Sequence, residues 1–328
     1  MTTHKDHPPE KLVVSGRTVP GHMELGDRGL YDIQDGTLVC RHDSGFFSIC
    51  SVALRNVAEV LQRTGRLPRR IDFSRTFKAF RNAEQSRSAA DMYPVFFAAG
   101  PAVSAAEMTS LPRVRHHGLY QRIDHRAFAP VLRRYFQPSP HARAIQSQWI
   151  DRYRIEPGRT IAVIYRGTDK GTEVALASPE AYVEQTRAIL GRHPDSRVLI
   201  QTDELAVRDL FVAEFGSRCF FIEDLPVSGG RVVVHDLDDA ALGLDRGEWG
   251  VMLVAVTELL SRMAHVVNHT GNMALWICLW RGHCRGVAQF AQSGRLVDFG
   301  SPAFYLHHGH YLARRAWRRL ITRRGVAR

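Results

Sequence analysis

Between Thr160 and Glu223 the chain alternates short β-branched runs with helix-length segments, and this rhythm constrains its fold more than any other feature. Thr160–Tyr165 is an unbroken apolar run of the kind a strand needs when both its faces are buried. The pattern predicts a helix over 179–191. Ser178 is a capping residue, Pro179 suits the first helical position, Glu180 complements the positive end, and Ala181, Tyr182, Ile189 and Leu190 form an apolar face. A strand over 197–202, a helix over 204–215 and a strand over 219–223 continue the series. Such alternation predicts crossover connections and a parallel sheet. The stretch 166–177 then belongs at the carboxyl edge of that sheet, where open α/β sheets bind ligands.

That loop places Arg166, Asp169, Lys170 and Glu173 close together. Lysine is rare in this chain: beside Lys170 there are only Lys5, Lys11 and Lys78, and arginine supplies the rest of the positive charge. The next strand is followed by Asp203 and Glu204. A third strand, over 264–268, runs into His269-Thr270-Gly271-Asn272, where a further helix opens. Each group also has a plain structural reading. Arg166 and Asp169 can brace the loop as an ion pair, Asp203 and Glu204 can complement a helix dipole, and 268–272 can be an ordinary turn.

Residues 1–33 are rich in charge, Pro and Gly and predict a loosely ordered lead-in. A βα unit follows, with a strand over 37–40, a turn over 43–48 containing Gly45 and Ser48, a helix carrying Val52, Ala53, Leu54, Val57, Val60 and Leu61 on one stripe, and a strand at 70–73. Residues 76–150 show helical patches at 127–135 and 142–153 but no legible topology. Beyond a long loop at 226–248, the pattern predicts an apolar helix over 249–263. The tail, 301–328, holds an amphipathic helix at 311–324. Leu312, Ala316, Trp317, Leu320 and Ile321 share one face, and Arg314, Arg315, Arg318, Arg319 and Arg323 the other. Such a helix packs back on the body of the protein or lies on an anionic membrane surface.

A chain of 328 residues is long enough for two domains, expected at 34–150 and 151–300. The polar start and the lack of any 18-residue apolar run predict a cytoplasmic protein without a membrane span. Five scattered cysteines with no CxxC spacing suggest neither a disulfide framework nor a zinc site. His307, His308 and His310, and likewise His116 and His117, read as satisfied or solvated clusters rather than metal ligands. The formal charge of +11 suits a polyanionic partner and equally an arginine-rich enzyme that binds a nucleotide diphosphate.

In order and spacing, the three polar blocks resemble those of the GDP-fucose-using fucosyltransferases of the α1,6 type, which act on core N-glycans and nodulation factors. Their central motif reads approximately H-V-R-R-T-D-K-x-G-T-E, against I-Y-R-G-T-D-K-G-T-E from Ile164 to Glu173 here. Their A-T-D-D block is matched by Gln201-Thr202-Asp203-Glu204, and their small polar turn by Asn268 to Asn272. The resemblance covers roughly 155–290. It implies an α/β fold of the GT-B kind, two Rossmann-like domains facing across a cleft, followed here by the C-terminal amphipathic helix.

The resemblance further implies that Arg166 meets the β-phosphate, that Lys170 serves the phosphates or the reacting centre, and that Glu173 is the acceptor's base. It places Asp169, Asp203, Glu204, His269, Thr270, Gly271 and Asn272 around the nucleotide sugar, with Gly45 and Ser48 reaching in from the other half. The guanine-reading aspartate of some relatives falls near Val256, which brings in Glu258 on the same helix. The implied donor is GDP-fucose, with no cofactor and no metal. The implied acceptor is a glycan, polysaccharide or lipid-linked oligosaccharide, and no nucleic acid is expected.

The chemistry fits these roles. Breaking the bond between an anomeric carbon and a nucleotide diphosphate builds negative charge on the β-phosphate, which a preplaced guanidinium and a helix N-terminus stabilise. A carboxylate that takes the acceptor's proton contributes about 10²–10⁴ in rate, and attack from the far face inverts the anomeric centre. Two departures stand out: Ile164 replaces the family's histidine, and Gly167 its second arginine. They leave open a different nucleotide-sugar donor. A basic nucleic-acid or membrane-surface binding protein with a decayed transferase site is the alternative outside enzymes.

Overall fold

The structure, a computed structural model, describes residues 29–103, 111–112, 115–167, 174–228, 234, 237 and 239–298, with backbone alone for 12–14, 17–19, 22–23 and 241. The N-terminal half contains β1 (Leu12–Val14), β2 (Arg17–Val19), β3 (His22–Met23), β4 (Tyr31–Gln34), β5 (Thr37–Cys40), α1 (Phe46–Thr64) and β6 (Arg70–Asp72). Short elements follow: α2 (Ala83–Arg87), α3 (Tyr93–Phe96), β7 (Phe97–Ala98), α4 (His125–Tyr135), β8 (Gln137–Pro138) and α5 (Pro140–Tyr153). The C-terminal half then runs β9 (Thr160–Tyr165), α6 (Pro179–Arg192), β10 (Arg197–Thr202), α7 (Leu205–Phe215), β11 (Cys219–Phe220), α8 (Asp239–Leu242), α9 (Arg246–Ser261), β12 (His265–His269), α10 (Asn272–Arg281), β13 (Val287–Phe290) and β14 (Leu296–Asp298).

The alternation seen in the sequence folds as expected into a six-stranded sheet ordered β11-β10-β9-β12-β13-β14, parallel except for β14. In order of appearance along the chain this is 3-2-1-4-5-6, the doubly wound order in which the chain reverses direction between the first and fourth strands. Here that switch point lies between β9 and β12, which pair from His265 opposite Ile161 to Asn268 opposite Ile164. All six residues of β9 are buried. Their side chains alternate between two cores: Ile161, Val163 and Tyr165 join α6 and α7 on one face, and Ala162 and Ile164 join α9 and α10 on the other.

The N-terminal sheet, β3-β4-β5-β6, is mixed: β4 pairs antiparallel with β3 and β5, and only β5 and β6, joined through α1, run parallel. Asp35 and Gly36 make the β4–β5 turn with φ of 48° and 75°, the left-handed pair that a two-residue hairpin needs. Against the expected second Rossmann-like unit, this sheet has one parallel pair. The antiparallel strands before it follow from an Asp-Gly turn that imposes a hairpin on residues ahead of the expected βα unit.

Nor does the core break near residue 150. Residues 150 and 151 fall inside α5, which Ser139 caps and whose Gln146 side chain donates to the Ala255 carbonyl of α9 at 2.9 Å. Phe80 packs on Trp249 with ring centroids 4.9 Å apart, Phe136 on Trp276 at 4.8 Å, and Phe47 on Trp276 at 6.1 Å. One apolar cluster therefore joins β4, β5, β6 and α1 to α9, α10 and one face of the six-stranded sheet. Among the described residues no helix is long and apolar enough to cross a membrane. The helix expected at 311–324 and the three histidines at 307–310 lie outside the described residues.

Candidate functional site

A cavity of about 500 Å³ opens at the carboxyl ends of the strands, beside the switch point. Three strand exits build its polar wall. The chain leaves β9 through Arg166, leaves β10 through Asp203, and leaves β5 through Ser44 and Gly45 into α1; Asn272 and Met273 open α10 on the same space. The Arg166 Nε lies 3.9 Å from Asp203 Oδ2, and the arginine side chain keeps 46% of its surface exposed. An ion pair so long and open to water contributes little to stability. Phe46, Phe80, Trp249 and Leu253 supply its apolar lining.

Two helices begin at this cavity without a capping side chain and without an acidic residue in the first turn: α1 behind Gly45, and α10 behind Gly271. α7, which opens behind Asp203 and Glu204, also lacks a side-chain cap, whereas α4, α5, α6 and α9 are each capped, by Asp124, Ser139, Ser178 and Asp245. The partial positive charges of α1 and α10 thus meet in one space together with the Arg166 guanidinium, an arrangement that favours an anion. The Ser48 hydroxyl on the first turn of α1 lies 3.1 Å from His42 Nε2. Burial, reinforced by Arg55, holds His42 below the usual histidine range, so that ring is neutral near pH 7.

The α10 turn is held by a segment of which the sequence flagged only His116 and His117. Tyr120 is fully buried; its hydroxyl accepts from the Gly271 amide at 2.9 Å and lies within bonding distance of the Gly271 and His116 carbonyls. Thr270 Oγ1 donates to the His116 carbonyl at 2.7 Å. Buried Gln289 of β13 accepts from the Tyr120 amide at 3.1 Å and donates to the Gly118 carbonyl at 2.9 Å. These bonds dock residues 116–120 onto the ends of β12 and β13. His116 and His117, expected to be a satisfied or solvated pair rather than metal ligands, line the cavity with ring centroids 4.0 Å apart.

The other expected residues divide by position. Gly45, Ser48, Arg166, Asp203 and Asn272 come together on the cavity wall. Thr270 and Gly271 act behind it through Tyr120. His269 is buried, with Nε2 3.1 Å from the Ala175 carbonyl. The Asp203 carbonyl accepts from the Ser228 amide at 2.8 Å, which pins the turn into α7.

Glu204 turns toward Gly167: a Cβ added at Gly167 would fall 2.1 Å from Glu204 Oε1 and 2.8 Å from a Tyr165 ring carbon. Burial and then the charge of Asp203 raise the Glu204 carboxyl above its usual range. The Tyr165 hydroxyl is pushed up to about 12 by burial and by the charges of Glu204 and Asp203. Glu258 stands apart from the cavity. It accepts from Gln146 Nε2 at 2.7 Å and pairs with Arg262 at 2.7 Å, so it braces α5 against α9. Asp169, Lys170 and Glu173 lie outside the described residues.

Fold and cavity together define an open, doubly wound α/β protein with an anion-receptive crevice at its switch point. No protein-family model matches the chain, and no curated protein does. Among solved structures it is similar to the NodZ α1,6-fucosyltransferase co-crystallised with GDP, at 16% identity and a TM-score of 0.48, over 79% of this chain and 97% of that one. A NodZ α1,6-fucosyltransferase structure soaked with GDP-fucose is similar at 16% identity and a TM-score of 0.47, over 79% and 98% of the two chains. For the fucosyltransferase NodZ from Bradyrhizobium the values are 15%, 0.44, 79% and 97%.

Proposed function

We propose that this chain is an inverting, metal-independent glycosyltransferase that carries fucose from GDP-fucose to a hydroxyl of a glycan acceptor. The observation that carries this reading is the meeting of Arg166 with the N-termini of α1 and α10 around one cavity at the switch point. These groups supply positive charge where a diphosphate leaving group becomes more negative, and they are in place before the reaction begins. The apolar wall suits a flat base, and the three sequence blocks that resemble the α1,6-type enzymes fall at the carboxyl ends of β9, β10 and β12. Glu173 takes the acceptor's proton in this scheme, with Lys170 and Asp169 beside the phosphates. The acceptor enters from the N-terminal half.

Arg166→Ala is expected to keep the fold, as read by circular dichroism, and to lower transfer by roughly 10²–10³, the cost of removing one charge-stabilising donor. Turnover of GDP-fucose at the wild-type rate in that variant would overturn the proposal.

A second reading keeps the reaction and changes the donor. It is favoured by Glu204, whose carboxylate occupies the space beside Gly167 where the resembled family carries a second arginine. Thermal-shift measurements with a panel of nucleotides separate the two readings: GDP stabilises most if guanine is read, and UDP most under the second reading.

A further inference from the structure

A second cleft, of about 170 Å³, lies at the other ends of the N-terminal strands. The first cavity opens where β5 ends and α1 begins, whereas this cleft opens where β5 and β6 start, at the paired Thr37 and Arg70. Arg69, Arg70, Arg134, Tyr93 and Tyr135 line it, with the backbone of Ala99 and Gly100 as a third wall.

The three arginines are held by neutral acceptors. Arg69 Nη2 donates to the Asp35 carbonyl, Arg70 Nε to Thr37 Oγ1 at 3.1 Å, and Arg134 Nη2 to the Pro68 carbonyl at 3.2 Å. Each bond uses one of a guanidinium's five N–H donors and fixes the group in place. None of the three forms an ion pair with a described carboxylate. Asp91 feels the Arg70 charge, but its Oδ1 is taken by the backbone amides of Phe73 and Tyr93 at 2.8 and 2.9 Å.

Beside these cations the Tyr93 hydroxyl is buried without a hydrogen-bond partner among the described residues. The wall opposite cannot collapse to relieve this. The Gly100 amide donates to the Arg134 carbonyl at 2.9 Å, and a Cβ at Gly100 would fall 1.9 Å from the Arg133 carbonyl oxygen. Three like charges kept together around an open cleft, with an unsatisfied hydroxyl among them, repel one another unless an anion sits between them.

We propose that this cleft binds a phosphoryl group, separately from the nucleotide-sugar cavity. A carboxylate offers two oxygens to four donor side chains, whereas a tetrahedral phosphoryl group offers three or four and matches the forked guanidinium geometry. The group arrives as free inorganic phosphate or as a small phosphomonoester, for the cleft shows the chemistry of the head and not of what it is attached to. The site does not depend on the donor assigned to the first cavity.

Calorimetric titration at constant ionic strength tests it, with inorganic phosphate, methyl phosphate and acetate as probes. The proteins compared are the wild type and the Arg166→Ala, Tyr93→Phe and Arg134→Gln variants. Saturable phosphate binding is expected to survive Arg166→Ala, to weaken roughly tenfold in Arg134→Gln, and to weaken by a smaller factor in Tyr93→Phe. Tyr93→Phe removes only a hydroxyl that has no hydrogen-bond partner among the described residues, so it remains informative if Arg134→Gln fails to fold. Tighter binding of methyl phosphate than of phosphate identifies the monoester as the source; the reverse identifies the free ion. The proposal is overturned if no saturable binding is seen, if binding is lost in Arg166→Ala but unchanged in the two cleft variants, or if acetate binds as well as phosphate.

Discussion

Gly250→Ala is the sharpest test of the single core that joins the two halves. Gly250 lies in α9, and a Cβ placed there would sit 2.5 Å from Phe96 Cε1, 2.8 Å from Phe96 Cζ and 3.3 Å from Phe46 Cε2. Carbon atoms in packed interiors rest about 3.5–4.0 Å apart, so the new methyl overlaps the Phe96 ring by about 1 Å. That ring cannot swing aside: it is fully buried and packs against Phe46 and Phe77, each with centroids 4.9 Å away.

Overpacking of this kind costs about 1–3 kcal/mol, while the better helix propensity of alanine returns about 1 kcal/mol, which leaves a net loss of about 0–2 kcal/mol. Gly191 supplies the control, since nothing lies within 4 Å of a Cβ added there near the end of α6. At that position the propensity gain stands alone, about 0.5 kcal/mol in the stabilising direction. Urea unfolding followed by tryptophan fluorescence and by circular dichroism measures both variants. If Gly250→Ala gains stability as Gly191→Ala does, then Phe96 and α9 do not share a packed core, and the account given of the fold fails.

Three further outcomes are expected. Tyr120→Phe leaves the buried Gly271 amide without its acceptor, an omission that costs about 1–3 kcal/mol, and it loosens residues 116–120; nucleotide affinity measured by calorimetry should fall with stability. His265 is held down to about 4 by burial and by neighbouring His193, Arg192 and Arg281. Because its folded value is depressed, the neutral ring contributes stability that is whole above about pH 6.5 and is lost as pH falls toward 4. Denaturation midpoints should drop across that window, and His265→Gln should flatten the drop. Cys284 is held below the usual thiol range by its neighbour Cys278, reinforced by His125, whose Nε2 lies 3.4 Å from its sulfur. Iodoacetamide at pH 7 should therefore alkylate Cys284 first among Cys40, Cys50, Cys219, Cys278 and Cys284, as peptide mass spectrometry reads it.

Where the sequence was legible, the signals were local. The run Thr160–Tyr165 is largely β-branched and apolar because both its faces are buried, and that demand is written in its residues. Ser178 and Pro179 mark the start of α6 because a helix end must satisfy its own amides; the Ser178 side chain accepts from Ala181. The Asp35-Gly36 hairpin was equally local and went unread, for its two left-handed residues are an ordinary two-residue turn signal. Glu258 misled because its place on a helix says nothing about which neighbour claims it, and Gln146 and Arg262 do.

The sequence alone determined the parallel sheet and the placing of Arg166, Asp203 and Asn272 after strands, since periodicity, caps and loop chemistry act over a few residues. The tertiary structure decided that the halves share one core, that Tyr120 and Gln289 hold His116 and His117 over the cavity, and that three arginines line a second cleft. Tyr120 reaches Gly271 and Gln289 across more than a hundred and fifty residues of chain. Such pairings leave no local pattern, because either partner's residue type would serve equally well with many others; only the packing of the whole chain selects which groups meet.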